Sequence, residues 1–150
     1  MASPAIHIYS ENVTLNLKGR RVIKQWITDL TEKEGSGIAG VNFIFCSDAF
    51  LLDLNKTYLK HDTLTDVITF NFSEENEKGS GISGEIYISL DRVRENAREF
   101  KVSVQEESCR VMVHGVLHLL GYSDKSAAQK KLMRQKEDLY LSLLRVSGAL

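Results

Sequence analysis

His114 and His118 stand four residues apart in HGVLHLLGYSD, residues 114–124, and no other stretch of the 150-residue chain restricts the fold so tightly. On a helix, four residues advance by about 400°, so the two imidazoles lie ~40° apart on one face and ~6 Å apart along the axis. Val113, Leu117, Leu119 and Leu120 surround them, so the helix is buried and its imidazoles need partners. Gly121 ends the helix and lets the chain turn back. That turn can bring Asp124, ten residues after His114, to the same point. Two imidazoles and a carboxylate are three ligands for one divalent ion. The position left open is where a catalytic metal-bound water would sit. Asp124 also reads as part of a turn and helix N-cap, a role that Ser123 or Ser126 can fill instead.

The rest of the chain builds a frame for that helix. AIHIY alternates and predicts a strand. Residues 20–34 carry Val22, Ile23, Trp26, Ile27 and Leu30 at helical spacing, and the glycines of GSGIAG end that helix. VNFIFC alternates again, and Ser47 or Asp48 can cap a helix running to about Tyr58. DVITFNF and GEIYIS read as two further strands, joined by the polar loop SEENEKGSG. Residues 90–100 predict a helix with Val93, Ala97 and Phe100 inward. Ser103 and Glu106 form a capping-box pattern that opens the histidine helix, and a last amphipathic helix covers roughly 126–145. The expectation is a single α+β domain over residues 1–150. It has one mixed sheet of about four strands, with helices packed on it and the metal site at the end of a central helix. The strand–helix–strand units favour parallel pairing, and 66–89 favours an antiparallel hairpin.

Composition narrows the function classes. Hydrophobic residues make up 43% and charged residues 26%, with a formal net charge of −1. No run approaches the ~20 apolar residues of a membrane span, and MASPAIHIYS lacks the basic and apolar regions of a secretory signal. Cys46 and Cys109 match no ligand or redox spacing and read as reduced core thiols. A cytoplasmic protein without membrane contact is expected. A nucleic-acid partner would have to use a local basic patch, since there is no global excess of Lys and Arg. Lys56, Lys60 and His61 form one such cluster, and Lys125, Lys130, Lys131 and Arg134 form another. Asp62, Thr65 and Asp66 precede a strand, either as turn chemistry or lining a groove beside the metal.

The spacing of residues 114–124 matches the long zinc-protease pattern H-E-x-x-H-x-x-G-x-x-H. The protease base is the Glu after the first His, and here that position is Gly115. A glycine there serves close helix–sheet packing or leaves room for a bulky substrate. Two His and one carboxylate also occur in iron oxygenases, but imidazoles at i and i+4 on one helix suit hydrolytic zinc better.

HGVLHLLGYSD resembles the signature H-G-x-L-H-L-x-G-Y-D-H of the YbeY family, bacterial endoribonucleases of ribosomal RNA maturation. LNKTYLKHDTLTDVITF (54–70) is similar to that family's second motif at Asn55, Tyr58, Asp62, Thr65, Asp66 and Val67. GEIYIS resembles its G-D-I-x-I-S strand. The likeness runs from about 40 to 150, and the first 40 residues share only the strand–helix pattern. Asp124 stands where the family has His, Leu59 where it has Arg, and Leu64 where it has Pro. The resemblance implies a metal-dependent single-strand endoribonuclease acting in 16S ribosomal RNA 3′-end maturation and ribosome quality control. Its partners would be ribosomal RNA and the ribosome or ribosomal proteins. His114, His118 and Asp124 would hold one divalent ion: Zn2+, with Mn2+ or Ni2+ as alternatives. Lys56, Lys60, His61 and Asp62 would contact substrate. The competing expectations are a non-catalytic ribosome-assembly factor with a structural metal, and a zinc metallopeptidase.

Overall fold

The computed structural model describes residues 5–59, 65–73, 81–148 and 150, with only the backbone of Leu59. Chain order is β1 (Ile6–Glu11), α1 (Arg20–Lys33), β2 (Ile38–Cys46), α2 (Asp48–Leu54), a π-helical turn (Asn55–Leu59), β3 (Val67–Asn71), β4 (Ile82–Ser89), α3 (Leu90–Phe100), α4 (Val104–Leu119) and α5 (Ala127–Val146). The strands form one sheet in the order β1-β2-β4-β3. β1 pairs with β2 and β2 with β4 in parallel, while β3 runs antiparallel to β4 as an edge strand. This is the α+β arrangement with one mixed sheet that the strand–helix alternation predicts.

Alternation along the strands divides the interior. Ile6, Phe43, Phe45, Ile86 and Ile88 face a large core shared with α1, α3, α4 and α5. Ile68, Cys46 and Leu51 form a smaller cluster under α2 on the opposite face, joined by Phe70 and Tyr87. Both cysteines are buried and unpaired. Among the described residues no helix is long and apolar enough to cross a membrane.

Caps account for the helix starts. Ser47, Ser89, Ser103 and Ser126 each accept a hydrogen bond from the backbone N–H three residues on. The box at Ser126 is completed by Gln129. At Ser103 it is not, because the Glu106 carboxylate pairs instead with Arg145 Nη2 at 2.9 Å. β2 begins at Ile38 inside the glycine-rich stretch, since β4 is already there to pair from Ile82.

One residue at helical spacing lies outside the buried stripe, and one inward expectation fails. Val22 is 41% exposed because it precedes the buried stripe of Ile23, Trp26, Ile27 and Leu30 by about 100° of helix. Phe100 is 52% exposed. It shares a helical face with Val93, but it is the last residue of α3 and lines a cleft there.

The central helix lies very close to the sheet. A Cβ built on Gly115 would come within 2.6 Å of Ile86 Cγ2, well inside contact distance. Close helix–sheet packing is therefore what this glycine provides.

Candidate metal centre

The last turns of α4 carry His114 and His118, and the turn that follows carries Asp124. Gly121 takes φ +105°, a conformation that favours glycine. Tyr122 N–H then donates to the Leu117 carbonyl and Gly121 N–H to that of His118, a Schellman turn. Asp124 comes back beside the two imidazoles. Its Oδ2 lies 3.3 Å from His114 Nε2 and 3.4 Å from His118 Nε2, and the two Nε2 atoms are 3.0 Å apart. Asp124 is not the cap of α5, since Ser126 fills that position.

The outer ring nitrogens define what the inner ones present. His114 Nδ1 is 2.7 Å from Glu137 Oε2, and His118 Nδ1 is 3.1 Å from the Tyr122 carbonyl oxygen. A carboxylate and a carbonyl accept, so these partners assign the proton to Nδ1 in both neutral rings. Each Nε2 therefore turns a lone pair toward the other and toward Asp124. Burial opposes a positive charge on His114, but Glu137, Asp66 and Asp124 favour it more, and the net displacement of its pKa is upward. A tetrahedral ion with bonds of ~2.0–2.1 Å spaces its ligand atoms ~3.3 Å apart. The triangle of 3.0, 3.3 and 3.4 Å fits that size, and its donor set suits zinc.

Two supports come from residues that the motif does not contain. Glu137 on α5 is buried and holds Arg110 Nη1 at 3.0 Å through its other oxygen, while Arg110 Nη2 reaches Asp138 at 2.8 Å. Glu34, just past α1, accepts from Tyr122 Oη at 2.5 Å and from Tyr140 Oη, and pairs with Lys136 Nζ at 3.0 Å. Burial works against the Glu34 charge, yet these bonds hold its carboxyl below the ordinary value. Tyr122 is thus anchored by its hydroxyl while its carbonyl faces His118. Glu137 was visible in the sequence as an acid within the apolar stripe Met133, Tyr140, Leu141 and Leu144. Glu34 carries no such signal.

The site opens into a cleft of about 410 Å³ between α3, α4 and α5. His114 and Asp124 lie in it with Asp66, Glu107, Arg110, Lys130 and Arg134. From the second basic cluster, Lys130 and Arg134 line this cleft, whereas Lys125 and Lys131 do not. Lys56 is exposed on the π-helical turn and does not line it. Lys60, His61 and Asp62 lie outside the described residues.

A family model described as Endoribonuclease YbeY matches residues 5–145. The chain is 42% identical to an Endoribonuclease YbeY of Amoebophilus asiaticus, over 97% of both chains. It is 52% identical to an Endoribonuclease YbeY of Flavobacterium psychrophilum, over 81% of this chain and 84% of that one. It also resembles a solution structure of a Thermotoga maritima protein, with a TM-score of 0.63 and 32% identity. That match covers 96% of this chain and 94% of the other.

Proposed function

The chain belongs to the YbeY endoribonuclease family, and on that premise we propose that it is a metal-dependent endoribonuclease of ribosomal RNA processing. The observation that carries this reading is the convergence of three potential ligand atoms beside a cleft lined by His114, Asp124, Lys130 and Arg134. His114, His118 and Asp124 would hold a single divalent ion, with zinc favoured by two imidazoles and manganese or nickel as alternatives. An ion held by these three residues would supply Lewis-acid stabilisation of a phosphodiester and a more acidic water.

The chain's own residues do the rest. Glu137 and the Tyr122 carbonyl keep both Nδ1 protons in place, so the imidazoles cannot turn away from the shared point. Lys130 and Arg134, four apart on α5, present cations on the same helical face toward the cleft, where they can bind RNA phosphates. Gly115 leaves no carboxylate where a zinc peptidase carries its base, which argues against peptide hydrolysis. Single-stranded ribosomal RNA is the substrate class. The 3′ end of 16S RNA is the expected site of action, and ribosome quality control the wider role. The ribosome or ribosomal proteins would be partners in a cytoplasmic setting, which two unpaired buried cysteines support.

Cleavage of a small-subunit ribosomal RNA 3′ fragment tests the proposal, with wild type and His114→Ala compared with and without chelator. Cleavage by wild type alone, stopped by chelator, is expected. Equal cleavage by both proteins would indicate a contaminating nuclease. A non-catalytic assembly factor with a structural metal is the second reading, favoured by Leu59 in place of the family's Arg and by the net charge of −1. No cleavage by a folded, metal-loaded wild type would move the weight to it.

A further inference from the structure

Glu107 lies on α4 two helical turns before His114, ~10 Å along the axis, and lines the same cleft. It is 5% exposed, yet among the described residues its carboxylate forms no hydrogen bond or ion pair. An unpartnered acid in such a position costs stability unless a ligand completes it. Asn96 lines the cleft from α3 and likewise has no side-chain hydrogen bond among the described residues. Phe100 stands at the rim, 52% exposed. Lys130 and Arg134 face them from α5 and form no ion pairs among the described residues.

Groups of these kinds build nucleotide sites. An exposed aromatic ring stacks on a base, cations hold its phosphate, and buried polar groups read the base edge. A carboxylate accepts only, so it matches an edge that offers two adjacent N–H donors. Among the RNA bases the Watson–Crick edge of guanine does this, through N1–H and the 2-amino group. Adenine and cytosine each place an acceptor beside their donor, and uracil offers a single N–H between two carbonyls.

We propose that this end of the cleft is a guanine-binding subsite, in which Glu107 reads the base edge and Phe100 stacks on it. Through it the enzyme would select a guanosine near the bond that is cut. The volume of about 410 Å³ falls in the ~300–1,000 Å³ range of small-ligand sites. Burial pushes the Glu107 carboxyl up to about 7, with Arg110 and Arg134 opposing and Asp66 and Glu137 adding, so a donor pair would restore the charged form. The substrate assignment rests on the ribonuclease reading above, but the binding chemistry can be measured without any cleavage.

Titration of the metal-loaded protein with GMP, IMP and AMP, followed by amide NMR shifts at about pH 8, tests it. IMP lacks only the 2-amino group. GMP is expected to bind about tenfold tighter than IMP or AMP, with shifts at Asn96, Phe100 and Glu107. In Glu107→Gln, GMP and IMP should come within about twofold of each other, because the amide replaces one acceptor by a donor. Phe100→Ala should weaken all three nucleotides and leave their ranking intact. Equal affinity of wild type for GMP and IMP, an unchanged ratio in Glu107→Gln, or shifts elsewhere than the cleft would overturn the subsite. Loss of RNA cleavage alone would overturn the ribonuclease reading and leave it standing.

Discussion

His114 Nδ1 and Glu137 Oε2 are 2.7 Å apart, and the same carboxylate holds Arg110 through its other oxygen. A single buried acid thus ties an imidazole of the candidate metal centre to a cation of the cleft. In Glu137→Gln one acceptor oxygen has to serve both partners. Metal affinity should fall about 10–100-fold, the usual effect of removing a support of a ligating histidine. A competitive chelator titration measures it, and unchanged affinity would show that the contact does not orient the ring.

His114→Ala should lose bound metal altogether while circular dichroism shows the helices intact. Asp124→His should keep it, because an imidazole can replace the carboxylate as third ligand. Metal content by elemental analysis separates these outcomes. Retention of the ion by His114→Ala would sink the three-ligand assignment.

Gly115→Ala should destabilise the protein by about 1–3 kcal/mol through overpacking against Ile86. Ile86→Ala removes the group that the new methyl would strike. The double variant should therefore be more stable than the two single changes predict by addition. Additive urea midpoints would mean that the strain is relieved elsewhere.

Glu107 gives the stability curve a defined slope. Its folded-state pKa is raised to about 7, above the ordinary carboxyl value, so it favours the folded state most when protonated. That contribution is complete below the unfolded pKa and lost as pH rises through the folded one. Wild type should then lose stability between about pH 4.5 and pH 7 relative to Glu107→Gln. The variant should be the more stable protein at about pH 8, with the difference vanishing at pH 4. Parallel stability profiles for the two proteins would contradict the buried, unpaired carboxyl.

Burial pushes the thiols of Cys46 and Cys109 up to about 12. Neither should react with a thiol-specific disulfide reagent at neutral pH in the folded protein, and both should react once urea unfolds it. Rapid labelling without denaturant would show that one of them is open to solvent.

The parts of this structure legible in its sequence are those governed by local periods. Helical spacing places His114 and His118 on one face, and Gly121 turns the chain so that Asp124 rejoins them within a short stretch. The strand alternation in VNFIFC and DVITFNF likewise assigns Phe43, Phe45 and Ile68 to their faces. Phe100 shows the limit of such reasoning, since the period gives its direction but not where the neighbouring helix stops covering it. Glu34 and Tyr122 are 88 residues apart, and nothing near either of them announces the other. Glu107 sits at helical spacing before His114, but that it lacks a hydrogen-bond or ion-pair partner among the described residues depends on what α3 and α5 bring against it.

The Glu34 anchor makes the metal motif non-portable. Tyr122 presents its carbonyl to His118 from a turn held by the end of α1 and by two residues of α5. Grafting residues 114–124 onto an unrelated helix would carry over the three candidate ligands and leave behind the frame that aims them. Conversely, an injury to the N-terminal helix, remote in sequence from any ligand, would register as a weaker grip on the ion.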